Sequence, residues 1–196
     1  MHHPHTRAVE SCELDRALSD TFPASDPPSM TTPIVATPSA QYIAPGEGGE
    51  LRVYRVVEAR DAAQPFAPDH AGGRWTHPGV ACVYASLSPA AAVLEYLVHL
   101  EGRTPSGLLM AVAALPANAV LAETNEPSTW SALPYRDEVR QLGDDWLHSG
   151  RSLALRVPSA VCMDECRVLL NPEHPAFAAL ELVALRPLAI DERLRT

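Results

Sequence analysis

Lysine is missing altogether: all fifteen cations are arginines, set against twenty-four acids for a formal charge of −9. With so few cations, and none of them gathered in a run, an extended nucleic-acid surface is excluded, since phosphate binding needs a clustered surplus of positive charge. Every fixed positive charge is instead a guanidinium, able to grip a phosphate or carboxylate with two parallel N–H groups. Cysteine is scarce as well. Cys12, Cys82, Cys162 and Cys166 are too few and too scattered for a disulfide scaffold. No apolar run approaches the roughly 18 residues that cross a bilayer, so no membrane partner is expected. None follows Met1 either, so a secretory leader is not expected and a reducing cytoplasm fits best. Internal repeats are absent. What remains, 196 residues of which 46% are hydrophobic, suffices for one core but not for two large domains.

Residues 1–48 read differently from the rest. The first fifty residues hold seven of the nineteen prolines but only two of the fifteen arginines, which predicts a largely extended leader. Within it, ESCELDRALSDTF places Leu14, Ala17, Leu18 and Phe22 on one side of a short amphipathic helix that PASDPPS stops. The TFPASDPPS stretch resembles a segment that recurs in small bacterial proteins. The amphipathic piece reads either as a docking peptide or as a disordered leader. Residues 49–196 form the predicted domain. ELRVYRVV alternates as a strand and GVACVYAS reads as another. Ser88 and Pro89 then cap a helix, PAAAVLEYLVHLEG, that Gly102 closes. SGLLMAVAALP, AVLAE, SLALRVPSAV, CRVLLN and ELVALRPLAI read as further strands, and PYRDEVRQLGDDWLHSG as a helix ending at Gly150. Strands outnumber helices, and several connections are too short for crossover helices. This predicts an α+β fold whose mixed, mostly antiparallel sheet carries flanking helices.

Chemistry concentrates in GGRWTHPGVACVYAS, residues 72–86. Two adjacent glycines let backbone approach a ligand closely, and Arg74 follows with a charge suited to a diphosphate or carboxylate. Trp75 offers a flat face for a ring, and Tyr84 a second face with a hydroxyl. The plainer reading makes this a hairpin loop in which Trp75 plugs the core and Arg74 is solvated. On the next helix, Glu95 has Ala91, Ala92 and Val98 one turn away and so falls in or beside the apolar stripe. A carboxylate there needs a partner, which Arg74, Arg55 or His99 could supply. Ser159, after Pro158 at a strand end, suits a turn cap; a Ser159, His174 and Glu95 triad lacks the G-x-S-x-G elbow. Cys162, Cys166 and His174 fall one ligand short of zinc, so buried reduced thiols and no metal site are expected. The same holds for the three histidines of MHHPH.

Taken in order, GGRWTHPGVACVYASLSPAAAVLEYLVHLEG, SLALRVPSAV and VLLNPEHPAF resemble the RES domain, the toxin half of bacterial RES–Xre toxin–antitoxin pairs. The likeness covers about residues 51–190, with three blocks in sequence order. It implies a fold similar to the ADP-ribosyltransferase toxins and an enzyme that consumes NAD as its substrate by cleaving the nicotinamide–ribose bond. By position, the Arg, Glu and Ser of the family name fall on Arg74, Glu95 and Ser159, the family tyrosine on Tyr84 and its first-strand arginine on Arg55. Thr76 departs from the family's usual Asn after the tryptophan. In this reading Glu95 and Arg74 are catalytic, while Arg55, Arg74, Trp75, Tyr84 and Ser159 bind the dinucleotide. The implied partner is an Xre-like antitoxin, with homo-oligomer formation left open. Transfer to water, to phosphate or to a protein side chain shares the same first step. The rival classes are a protein ADP-ribosyltransferase and a non-catalytic binding module that keeps the pocket.

Overall fold

The computed structural model describes residues 49–194 apart from 101, 104, 106 and 123–125. The leader and its expected helix at 10–22 lie outside the described residues. Among those described, the chain runs β1 (Glu50–Glu58), β2 (Val83–Ser86), α1 (Pro89–Val98), β3 (Leu108–Pro116), β4 (Val120–Ala122), α2 (Asp137–Ser149), β5 (Ala154–Pro158), β6 (Cys166–Leu170) and β7 (Glu181–Pro187). The strands make one sheet in the order β4-β5-β6-β2-β1-β3-β7. β4 and β5 are parallel and the other neighbours antiparallel. The parallel pair needs a crossover, and α2 provides it. The expected mixed α+β architecture is therefore the one observed.

Local chemistry sets the element ends. Ser88 Oγ accepts the Ala91 N–H at 3.1 Å and Pro89 opens α1 without wasting a donor. α1 ends at Val98, short of the expected boundary at Gly102. There, His99 and Leu100 donate three residues back, to Tyr96 and Leu97, and the helix tightens into turns. α2 stops where expected, before Gly150.

Alternation along the strands creates two buried faces. On one, Leu51, Val53, Val83, Ala85, Ala111, Ala113, Val168 and Leu170 pack together beneath Phe66, Phe177 and Leu180. On the other, both helices dock. α1 covers Val56, Met110 and Val112 at the β1–β3 end, while α2 sets Val139, Trp146 and Leu147 on Leu155, Val157 and Leu169. Tyr54 pairs with Ser86 and Tyr84 with Leu169, so both clusters lie on the same side of the sheet. The strip between the helices is left for other side chains.

One join in the sheet is weak. β1 pairs with β3 along all nine residues but with β2 only at Tyr54 and Ser86. Past that point β1 and β2 diverge, and segment 59–82 enters the fork, tied to itself by reciprocal bonds between Asp69 and Cys82 at 2.9 and 3.0 Å. Arg55 and Tyr84 stand on the two diverging strands.

Candidate active site

Glu95 is the buried acid of the inter-helical strip. Ala91, Ala92 and Glu95 share the inner face of α1, and Glu95 as a whole is only 7% exposed. Its Oε1 accepts the Ser159 hydroxyl at 3.0 Å, and its Oε2 faces Arg167 Nη1, also at 3.0 Å. Ser159 is buried after the end of β5. Its oxygen accepts the N–H groups of Val161 and Cys162 at 3.3 and 3.4 Å, which leaves its own proton for Glu95.

Arg167, on β6, completes the group. Its guanidinium lies 5.0 Å over the Tyr84 ring while pairing with Glu95, and its buried Nε has no hydrogen-bond partner among the described residues. A planar cation is thus held between an aromatic face and a carboxylate. The Tyr84 hydroxyl shares a 2.9 Å hydrogen bond with buried Thr76. Burial pushes the Tyr84 pKa upward and keeps the phenol protonated. Gly72, at φ 73°, turns the preceding loop, and Gly73 passes so close that a methyl there would come within 3.0 Å of the Tyr84 hydroxyl.

The two other expected arginines are held by backbone carbonyls. Arg74 Nη1 donates to the carbonyls of Trp130 and Ala132 at 2.8 and 3.0 Å, and its guanidinium lies 4.7 Å over Tyr135. Arg55 Nη1 donates to the carbonyls of Pro65 and Ala67 at 3.3 and 2.9 Å, and burial lowers its pKa. Arg55 also lines a cleft of about 680 Å³ at the fork, together with Glu58, Arg60, Asp69, His70 and Tyr96. A hollow of about 450 Å³ on the outer side of α2 shares no residue with the Glu95 group.

Several expectations are corrected. The cation paired with Glu95 is Arg167, not Arg74 or Arg55, each of which turns its Nη1 to two backbone carbonyls instead. Trp75 offers no face to a ligand: it is 1% exposed and stacked 6.1 Å from Trp130 in the α2 core, where its large apolar ring is best buried. His174 is no triad member, because its Nδ1 accepts the Ala176 N–H and caps a short turn. Cys82 is buried, and desolvation pushes its thiol up to about 12. Cys162 and Cys166 are half-buried rather than buried. Among the described residues no cluster of three His, Cys, Asp or Glu could hold a metal ion.

Arg167 escaped the sequence reading, although a signal was there. In CRVLLN it occupies the same alternating face as buried Leu169, and a charged residue in an apolar slot of a strand marks a buried partner elsewhere. His77 was also missed. Its ring bonds Asp144 Oδ2 at 2.6 Å and Asp137 Oδ1 at 2.8 Å, clamping the glycine loop to α2.

The chain matches the RES domain over residues 52–191. It belongs to the RES domain family. A "Toxin Res" from Yersinia enterocolitica is 33% identical over 153 residues, 74% of this chain and 100% of the relative. A "Prs ADP-ribosylating toxin" from a Sphingobium species is 36% identical over 129 residues, 63% of this chain and 80% of that one. In fold, the chain is similar to a chain of the Mycobacterium tuberculosis MbcT–MbcA toxin–antitoxin complex, with a TM-score of 0.57 at 15% identity, covering 76% of this chain and 90% of the other. Of the expected site residues inside this RES domain, Glu95 and Ser159 touch directly.

Proposed function

We propose that this RES domain chain is the toxin of a toxin–antitoxin pair and consumes NAD by breaking its nicotinamide–ribose bond. One observation carries the reading: buried Glu95 and the Tyr84 ring together hold a planar cation, the Arg167 guanidinium. The nicotinamide ring of oxidised NAD is also a planar cation. A slot that suits the Arg167 guanidinium between a carboxylate and an aromatic face suits, once that side chain turns aside, another group of the same charge and shape. The toxin relatives named above favour the same class.

Glu95 carries the chemical step. As the C1′–N bond breaks, its electron pair passes to the ring nitrogen, and positive charge develops on the ribose, where a fixed carboxylate stabilises it. Ser159 holds that carboxylate through Oε1, and the Val161 and Cys162 N–H groups that its oxygen accepts keep the hydroxyl from turning away. Tyr84 faces the ring, Arg74 takes the diphosphate, and Arg55 takes a ribose hydroxyl or phosphate from the fork. The acceptor bonds to C1′ and releases its proton to solvent. Water, phosphate and a protein side chain are all chemically competent acceptors. Transfer to protein is a second reading, favoured by the relative named as an ADP-ribosylating toxin. An Xre-like antitoxin is the proposed partner, since an uncovered NAD pocket would poison its own cell.

The test is nicotinamide release by the purified chain. Wild type should release it, and Glu95→Ala should lower the rate by at least about 100-fold while thermal unfolding still shows a folded protein. An equally active Glu95→Ala chain removes the role given to this residue. NAD labelled in the adenylate half then distinguishes label on protein from free ADP-ribose or its phosphate.

A further inference from the structure

We infer that Arg140 and Tyr135 on the α2 side form, with Arg74, a diphosphate subsite, so that Arg140 is a second guanidinium for the dinucleotide; this rests on the NAD reading above. Arg74 and Arg140 lie over the same Tyr135 ring, at 4.7 and 5.5 Å. Among the described residues neither has a carboxylate within ion-pair distance. Arg74 spends only Nη1, on two carbonyls, and Arg140 only Nε, on the Gly73 carbonyl at 2.9 Å. The other N–H groups of both side chains make no hydrogen bond among the described residues. Two like charges gathered on one ring, in a chain of net charge −9, are stabilised by an anion that takes both forks.

The surroundings select an anion rather than an acidic side chain of this protein. α2 begins at Asp137, and its N-cap residue, Arg136, supplies no side-chain cap, so the helix adds partial positive charge beside Arg140. The two acids of that first turn are engaged elsewhere: Asp137 bonds His77 at 2.8 Å, and Glu138 accepts the Thr129 hydroxyl at 2.8 Å. The cluster is also continuous with the Glu95 centre. Arg140 holds Gly73, Gly73 abuts the Tyr84 hydroxyl, Tyr84 underlies Arg167, and Arg167 pairs with Glu95. A ligand with a planar cation at Tyr84 and a diphosphate a few bonds away fits both ends of that path.

The test uses ADP-ribose, which keeps the diphosphate and lacks the scissile bond, titrated calorimetrically into the full chain. Wild type should bind it, Arg140→Ala should weaken it about 10- to 100-fold, and Arg140→Lys should recover part of the loss. The defect should shrink between about 50 and about 300 mM salt, because a lost charge contact is screened. Arg140→Ala binding like wild type, a defect of equal size at both salts, or a wild-type chain that ignores ADP-ribose would each overturn the inference. A chain that binds ADP-ribose through Arg140 yet releases no nicotinamide from NAD keeps the subsite and removes the enzymatic reading instead.

Discussion

Replacing Arg167 by Met keeps most of the side-chain volume over Tyr84 and deletes the charge opposite Glu95. The pair is 3.0 Å apart, with side chains 17% and 8% exposed, so it lies outside the regime in which surface ion pairs contribute about 0–1 kcal/mol. Removing one partner of a buried pair leaves the other charge uncompensated, at a cost of about 3–5 kcal/mol. At about 2–4 °C per kcal/mol for a domain of this size, the melting temperature should fall by roughly 6–20 °C. Glu95→Gln alone removes the carboxylate charge, retains an oxygen for the Ser159 hydroxyl and leaves the Arg167 charge uncompensated, which should likewise cost about 3–5 kcal/mol. Combining them removes both charges, so the double variant should be more stable than the sum predicts, with a coupling of at least about 1.5 kcal/mol. The assay is a double-mutant cycle by urea unfolding, with nicotinamide release measured on each folded variant. Additivity within about 0.5 kcal/mol would refute the claim that Arg167 holds the carboxylate.

Two further expectations concern the frame. Gly143 of α2 packs against the Trp75 carbonyl with no room for a methyl group, so Gly143→Ala should push α2 off the loop and cost about 1–3 kcal/mol; an unchanged melting curve would rule out that close packing. His77 has its pKa raised above 6.5 by its bond to Asp137 and then by that to Asp144. Its contribution is therefore complete below about pH 6.5 and is lost as pH rises through the higher folded value. Stability followed across that window should decline in wild type and lose that component in His77→Asn; an identical slope in both would show that the clamp does not titrate as described.

Much of this molecule could be read along the chain. The Ser88–Pro89 start of α1, the end of α2 at Gly150 and the strands from SLALRVP onward are local signals, set by capping, glycine and alternation within a few residues. Glu95 was legible because helical spacing alone puts it among alanines. Its partner was not: Arg167 lies 72 positions away, and any arginine in the chain could have supplied the charge. Which one does so depends on β6 lying beside β2, a pairing of strands far apart in sequence. Trp75 shows the reverse case, an aromatic whose type suits a ligand or a core equally until α2 is packed upon it.

The sequence by itself determined the kinds of groups present: arginine as the sole fixed cation, one acid on an apolar helix face, a glycine-rich loop before a tyrosine, and a serine at a strand end. Those follow from residue identity and near-neighbour geometry. Only the tertiary structure decided how they divide the work, with Arg167 on Glu95, Arg74 and Arg140 on Tyr135, and Arg55 in the fork. The reason is physical: a buried charge is satisfied by whatever donor the packed strands bring within about 3 Å, and that distance is fixed by the sheet order rather than by position in the chain.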